Sequence, residues 1–501
     1  MKLKLLLIPT LCLSLAGCVT VGPDYKQPLA PKADVSGIAG AAAQEEGRRA
    51  SISKQDLVSW WTVFNDPMLS ELIQEALQGN LDVREARAKV REARAQLTIS
   101  RAGLFPSVDA TGSYQQTRAI TSYNANDEAI RAENTYYSAG FDATWEIDIF
   151  GGTRRGVEAA QADIQSQQAS LESVWVSMAG EVAQTYVAIR SYQQRLAVAE
   201  NNLKAQADTL EILEARQNAG LSDELDVQQA RYNLEKSRST IPTLRSGLER
   251  SYNALAVLVG KMPGQLQKRL EKAQAIPRAP FSVVLKIPAD TLRQRPDIRM
   301  AERALAAQSA RIGVATADLY PKFYLIGSIG LESMKSSKLF NADSNVWSIL
   351  PSITWPIFRA GSIRANIEVQ NAKQEQLAAQ YDKAVLVAVK EIRNSLTAFN
   401  QEQQRLAALT AAVDAAQKAA DIAQDKYRQG LVNFNDVLDA QRSLFSYDDQ
   451  RITSQEAITG DIISLYKALG GGWQHMRTEA TQQATPAAPK TVQVSGKLAR
   501  Q

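Results

Sequence analysis

Tyr427-Arg-Gln-Gly-Leu-Val-Asn-Phe-Asn-Asp-Val-Leu-Asp-Ala-Gln-Arg-Ser-Leu-Phe445 is the stretch on which the reading of this chain turns. A long helical pattern stops here and another starts. Gly430 stands where a helix C-terminus needs a positive φ. Asn433 and Asn435 are candidate caps for the returning helix. Asp436 and Asp439 follow three residues apart on one helical face. A glycine between two helices with a nearby Asp is an ordinary corner, but the chain holds this one twice. Gln217-Asn-Ala-Gly-Leu-Ser-Asp-Glu-Leu-Asp-Val-Gln-Gln-Ala230 repeats it, with Gly220, Asp226 and Ala230 standing 210 residues before Gly430, Asp436 and Ala440.

The helices that lead into both turns share the same register. From Gly152 to about Ala219 the pattern is helical without a proline, a path of roughly 100 Å at the usual rise. Along it Trp175, Val182, Ile189, Leu196, Leu203 and Leu210 fall seven apart, the spacing of a coiled-coil seam. Val385, Ile392, Phe399, Leu406, Val413 and Ala420 repeat that seam 210 residues later, in a helix from about Gly361 to Gln429. On the first returning helix Leu234, Ile241, Leu248 and Leu255 continue the sevenfold spacing, and Pro242 predicts a kink or a break.

Before each long helix the period changes to two. Tyr137, Ala139, Phe141, Ala143, Trp145, Ile147 and Ile149 alternate with Ser138, Gly140, Asp142, Thr144, Glu146 and Asp148. The stretch after Phe105-Pro106 alternates in the same way. In the second half Tyr320-Pro321 matches Phe105-Pro106, and Trp355 matches Trp145. Each strand has about the ten residues that a tilted membrane strand needs, apolar on one face and polar on the other. A helix is expected from Pro67, with Asp66 as its cap, and another from Asp290 to Asp318.

The chain begins with Lys2 and Lys4, an apolar run from Leu5 to Leu15, and Leu15-Ala16-Gly17-Cys18. That is the layout of a secretory signal, and the run is too short to span a bilayer. A small-small-Cys ending looks like a bacterial lipoprotein signal, with Cys18 as the first mature residue and the lipid attachment point. Val19 follows it where inner-membrane lipoproteins typically carry Asp, which favours the outer membrane. Cys12 leaves with the signal, so no disulfide is expected. The mature chain keeps 55 basic against 53 acidic residues, a balance that gives no support for nucleic-acid binding. His475 is the only histidine. With no Ser/His or Cys/His pair and no glycine-rich phosphate loop after a strand, the sequence offers no catalytic residues and no cofactor or metal ligands.

These signals divide the chain into a signal peptide at 1–17, a lipidated arm and linker at 18–55, a first repeat at 56–260, an inter-repeat linker at 261–289, a second repeat at 290–470 and a disordered tail at 471–501. The first repeat is expected to carry strands at about 107–118 and 136–149, and the second at about 322–332 and 344–357. Four such strands cannot close a barrel alone, and lipid does not tolerate open edges. Three copies would give a twelve-stranded barrel with a water-filled lumen. The expected fold is therefore α+β, a trimeric transmembrane barrel continuous with a long α-helical barrel. Asp142, Glu146 and Asp148 would line water, while Asp436 and Asp439 would form acidic rings at the hairpin ends. A structural coiled-coil surface lipoprotein would explain the heptads but not the reuse of the strands.

Tyr427-x-x-Gly430-x-x-x-x-x-Asp436-Val-Leu-Asp439-Ala, Arg295-Pro296-Asp297-Ile298 with Ala301-Glu302, and Cys18-x-x-x-Gly-Pro-Asp-Tyr together resemble the TolC family of outer-membrane efflux ducts, in its lipidated OprM/NodT branch. The resemblance implies a trimeric conduit in the bacterial outer membrane, lipid-anchored, with a periplasmic helical barrel. It further implies a periplasmic adaptor and an inner-membrane RND-type transporter as partners in multidrug export. A metal-ion efflux or type I protein secretion outlet is the alternative role. The gate it implies is Asp436, Asp439, Tyr427 and Asp226, with Tyr427 bonding across to Asp226. The adaptor contacts it implies are Gly220, Leu221, Ser222, Gly430, Leu431 and Val432. Family members often carry an Arg two residues after the glycine; here Val432 stands there, so closure is expected to rest on Tyr427, packing and the carboxylates.

Overall fold

The computed structural model describes residues 20–28, 57–123, 125–278 and 289–474. The signal, Cys18, most of the linker after it, residues 279–288 and the tail from His475 on lie outside the described residues. The expected disordered tail starts too early, because Gly471 and Gly472 are buried, the Gly472 amide bonds to the Leu57 carbonyl at 2.7 Å and Trp473 packs against the core. In chain order, α1 is Pro67–Gly79, α2 Leu81–Ala102, β1 Ser107–Tyr123, β2 Ala129–Ile147, α3 Gly152–Asn218, α4 Glu224–Leu258, α5 Gln267–Leu270, α6 Ala289–Gln294, α7 Pro296–Ala317, β3 Lys322–Ser333, β4 Asn345–Thr354, α8 Ser362–Arg428 and α9 Phe434–Ala468. The chain forms two compact units.

The first unit comprises residues up to 29, 88–168 and 299–383 and contains an antiparallel sheet in the order β1-β2-β3-β4. β1 and β2 run further than the expected 107–118 and 136–149 at the hairpin end. Their ladder pairs Arg118 with Glu133 and Tyr123 with Ala129; backbone bonds continue the hairpin after the apolar alternation has stopped. β2 ends at Ile147 because the Ile149 amide turns back to the Ile147 carbonyl (2.9 Å). β4 likewise ends at Thr354, where Trp355-Pro356 follows: proline has no amide to extend the ladder.

The second unit falls within 30–87, 169–298 and 384–501, and its described residues are helical with no strand. Its core gathers Trp60, Leu69, Leu72, Trp175, Val182, Ile189, Leu255, Phe399 and Ile463. Asp66 accepts the Leu69 amide at 3.1 Å and so caps α1, with Pro67 first in the helix. Its other oxygen receives the Tyr186 hydroxyl at 2.8 Å, which joins α1 to α3. The seam residues Trp175, Val182, Ile189, Val385, Ile392 and Phe399 are buried, whereas Leu203, Leu210, Leu406 and Val413 are half-buried nearer the turns.

Two prolines bear on the expected helices, and at Pro242 the break, one of the two expected outcomes, does not occur. Pro242 lies inside an uninterrupted α4. In the same turn the Ser239 and Thr240 hydroxyls bond to the Lys236 and Ser237 carbonyls (2.7 and 2.8 Å), and these bonds stitch the stretch whose amide the proline removes. The helix expected from Asp290 to Asp318 is instead split at Arg295 into α6 and α7, because Pro296 disfavours helical backbone at the residue before it and starts α7 itself.

Candidate functional site

Strand alternation makes the sheet two-faced. The pairs Thr111–Gly140, Asp109–Asp142 and Ser328–Asp142 put polar side chains on one face. There Thr111 donates to Asp142 (2.7 Å), and Ser113–Ser138 and Ser328–Ser348 each share a hydrogen bond of 2.8 Å. The pairs Ala110–Phe141, Phe141–Ile329 and Ile329–Trp347 build the other face. It is apolar and uncovered: Phe141 is 58%, Trp347 72% and Ile349 67% exposed. Side chains of this size exposed together mark an apolar environment or a partner. Tyr114 and Tyr137 pair on that face with ring centroids 5.2 Å apart. Beyond them the face turns polar, with Gln116, Thr135 and the Arg118–Glu133 pair. From Tyr137 to Ile147 is roughly 33 Å of strand, or about 25 Å of height at the tilt of a membrane barrel.

At the helix-bearing end Trp145 and Trp355 each donate an indole N–H, to the Leu104 and Leu319 carbonyls respectively, both at 3.1 Å. Asp148, expected in the water-lining row, lies past the end of β2. It accepts the Arg154 amide at 2.8 Å and pairs with the Arg154 guanidinium at 3.3 Å, so it serves the first turn of α3. The arm at 20–28 packs here too. The Val21 amide bonds to the Phe150 carbonyl (3.2 Å), and the buried Arg155 guanidinium reaches the Val21 carbonyl (3.1 Å) and Asp24 (2.7 Å). Tyr25 donates to Glu302 at 3.2 Å.

Both helical turns of the second unit have the same backbone. The Gly220 and Leu221 amides bond to the Gln217 and Arg216 carbonyls, each at 2.8 Å; those of Gly430 and Leu431 bond to Tyr427 and Lys426 at 3.0 and 2.9 Å. With φ of 70° and 74° at the glycines, these are two Schellman ends. They leave Leu221 and Leu431 68% and 67% exposed. Past the second turn the Asn433 amide donates to Asp436 Oδ2 at 3.2 Å, half of a capping box. Asp439 pairs with Arg442 at 3.3 Å. Both carboxylates are exposed in the single chain.

The expected Tyr427–Asp226 bond is not made within one chain. Tyr427 packs its ring against Phe434 (5.5 Å between centroids) and lies under the Arg216 guanidinium (5.0 Å). Phe434, 1% exposed, belongs with Leu213, Val227 and Leu438 to a small core that draws Tyr427 inward. Asp226 instead accepts from Ser222 at 3.2 Å. Arg442 is the residue that sequence reasoning missed. Its Nε and one terminal nitrogen bond to Asn233 Oδ1 at 2.9 and 2.6 Å, that nitrogen also contacts the Tyr232 hydroxyl, and the guanidinium lies 5.4 Å over the Tyr232 ring. The available signal was positional, since Arg442 and Tyr232 are 210 residues apart and so occupy equivalent places in the two repeats.

The family described as Outer membrane efflux protein matches residues 72–261 and 287–471, one span in each repeat. The Solvent efflux pump outer membrane protein SrpC of Pseudomonas putida is 34% identical over 462 residues, covering 92% of this chain and 97% of that protein. Nodulation protein T of Rhizobium leguminosarum bv. trifolii is 32% identical over 440 residues, covering 87% and 90%. Among solved structures, the outer-membrane channel OprN is similar with a TM-score of 0.83 at 33% identity, covering 91% of this chain and all of that one. The two-faced sheet, the doubled hairpins and these matches agree: the chain belongs to the outer membrane efflux protein family and is an outer-membrane efflux channel component, not an enzyme.

Proposed function

We propose that three copies of this chain close one twelve-stranded barrel and serve as the exit duct of a tripartite pump. The observation that carries this is the sheet itself. Its apolar face has the height of a bilayer core, and β1 and β4 each offer one unpaired edge. Open edges are not stable in lipid, so each β4 pairs with the β1 of the next copy. The polar face, with Asp109, Asp142 and Glu146, then lines the lumen. The helix-bearing end faces the periplasm.

The two turns are the periplasmic end of the duct. Gly220, Leu221, Ser222, Gly430, Leu431 and Val432 meet a periplasmic adaptor protein, and the exposed Leu221 and Leu431 supply matched apolar contacts, one from each repeat. An inner-membrane RND-type transporter delivers the cargo. Solvent is the cargo that the name of the Pseudomonas putida relative gives, which supports small apolar molecules as cargo here. Asp436 and Asp439, each repeated three times about the axis, form the gate together with Tyr427 and Asp226. Cys18 carries diacylglycerol and an acyl chain. Thr20, two residues later, packs on Gly151.

Single-channel recording of the full-length protein in planar bilayers tests both levels. Stable, cation-preferring pores are expected. Asp436→Ala/Asp439→Ala trimers should lose much of that preference and conduct more. Absence of any pore would overturn the duct; unchanged conductance and selectivity in the double variant would overturn the gate.

A further inference from the structure

The β1–β2 hairpin continues past the Tyr114–Tyr137 pair by nine residues on β1 and eight on β2, whereas β3 ends opposite Tyr137, at Ser333. Alternation places Gln116, Arg118 and Ile120 of β1, and Thr135, Glu133 and Arg131 of β2, on the same face as the apolar belt below. That face is thus apolar up to the tyrosines and bears cations above them. Lys335 and Lys338 stand exposed in the β3–β4 connection, two and five residues beyond Ser333. Lys335, Arg118 and Arg131 are staggered over roughly 5 to 15 Å of height. Glu133 neutralises Arg118 at 3.4 Å. Asp343 lies in the connection, and Asp127 and Glu128 lie at the hairpin tip. Arg131, Lys335 and Lys338 have no acidic partner within salt-bridge distance among the described residues.

We infer that this collar of cations, continuous with the lipid-facing belt, binds the phosphate groups of an anionic glycolipid in the outer leaflet. Unpaired cations directly above an aromatic girdle lie at headgroup height, where phosphate supplies the complementary charge and several oxygen acceptors per group. Lysine and arginine stems can follow the apolar surface while their heads meet the phosphates. The inference rests on the duct reading, which fixes the hairpin end of the sheet as the outer one.

The test uses the full-length trimer in detergent, with heat dissociation followed as diphosphoryl lipid A, fully dephosphorylated lipid A or phosphatidylethanolamine is added. Diphosphoryl lipid A is expected to raise the midpoint several degrees more than either of the others. The excess should shrink at high salt and vanish in Arg131→Gln/Lys335→Gln/Lys338→Gln, which keeps wild-type conductance. An equal rise with dephosphorylated lipid A, or an undiminished excess in the triple variant, overturns the proposal while the duct stands. Failure of the wild-type protein to form pores overturns the duct reading beneath it.

Discussion

Arg442 holds Asn233 with two nitrogens on one carbonyl oxygen, at 2.6 and 2.9 Å, and so ties the second hairpin to the first across 209 residues of sequence. The same guanidinium pairs with Asp439 and covers the Tyr232 ring. With Val432 at the position where an arginine was expected, this is the cationic bond that joins the two returning helices next to the carboxylates. Replacing Arg442 by Ala removes all three contacts. The expected outcome is a larger or more frequently open pore in planar bilayers, with the trimer retained. Conductance equal to wild type would show that the bond does not restrain the tips.

Gly220 and Gly430 carry a second prediction. A Cβ at either position would meet no atom within 4 Å, so Ala costs only the left-handed backbone, about 1 kcal/mol at each site. Equilibrium denaturation of Gly220→Ala and Gly430→Ala should give the same small loss. The two losses should add in the double variant.

Gly313→Ala is a different case, because its Cβ would stand 2.8 Å from Arg155 Cγ and 2.9 Å from Cδ. Arg155 must then leave the Val21 carbonyl and Asp24, and the arm at 20–28 loses its main bonds. Limited proteolysis should cut this arm rapidly in Gly313→Ala and slowly in the wild type. Equal rates would contradict the clasp.

Burial, together with the Glu402 carboxylate, pushes the Asp461 carboxyl up to about 6. In the unfolded chain it ionises near pH 4. Between about pH 4 and 6 the folded state therefore holds the extra proton, stability falls as pH rises, and the whole penalty is present above about pH 6. Asp461→Asn removes the charge. It should stabilise the protein at pH 7.5 by about 1 kcal/mol once solvent screening is allowed for, and leave it unchanged near pH 4. A gain independent of pH would show that ionisation is not the cause.

Local periodicity made much of the fold legible in the sequence. The sevenfold seams, the strand alternation and the matching turns all lie within short windows, and their recurrence after 210 residues is visible without coordinates. Trp145 and Trp355 illustrate this: their match in sequence is reproduced as one indole-to-carbonyl bond of 3.1 Å in each half. What could not be read depends on distant partners. Nothing near Arg442 points to Asn233, nothing near Arg155 points to Asp24, and Tyr427 turns towards Phe434 only because Leu213 and Val227 build a core around it. The continuity of the helix through Pro242 was not legible for a related reason, since the hydroxyls that support its turn act through geometry and not composition.

Closure of the sheet by three chains is the central claim, and the mass of the detergent-extracted, full-length protein tests it most directly. Native mass spectrometry should give a single species of three polypeptides of the mature length plus their lipids. A monomer that stays folded and keeps both sheet edges open in detergent would contradict it.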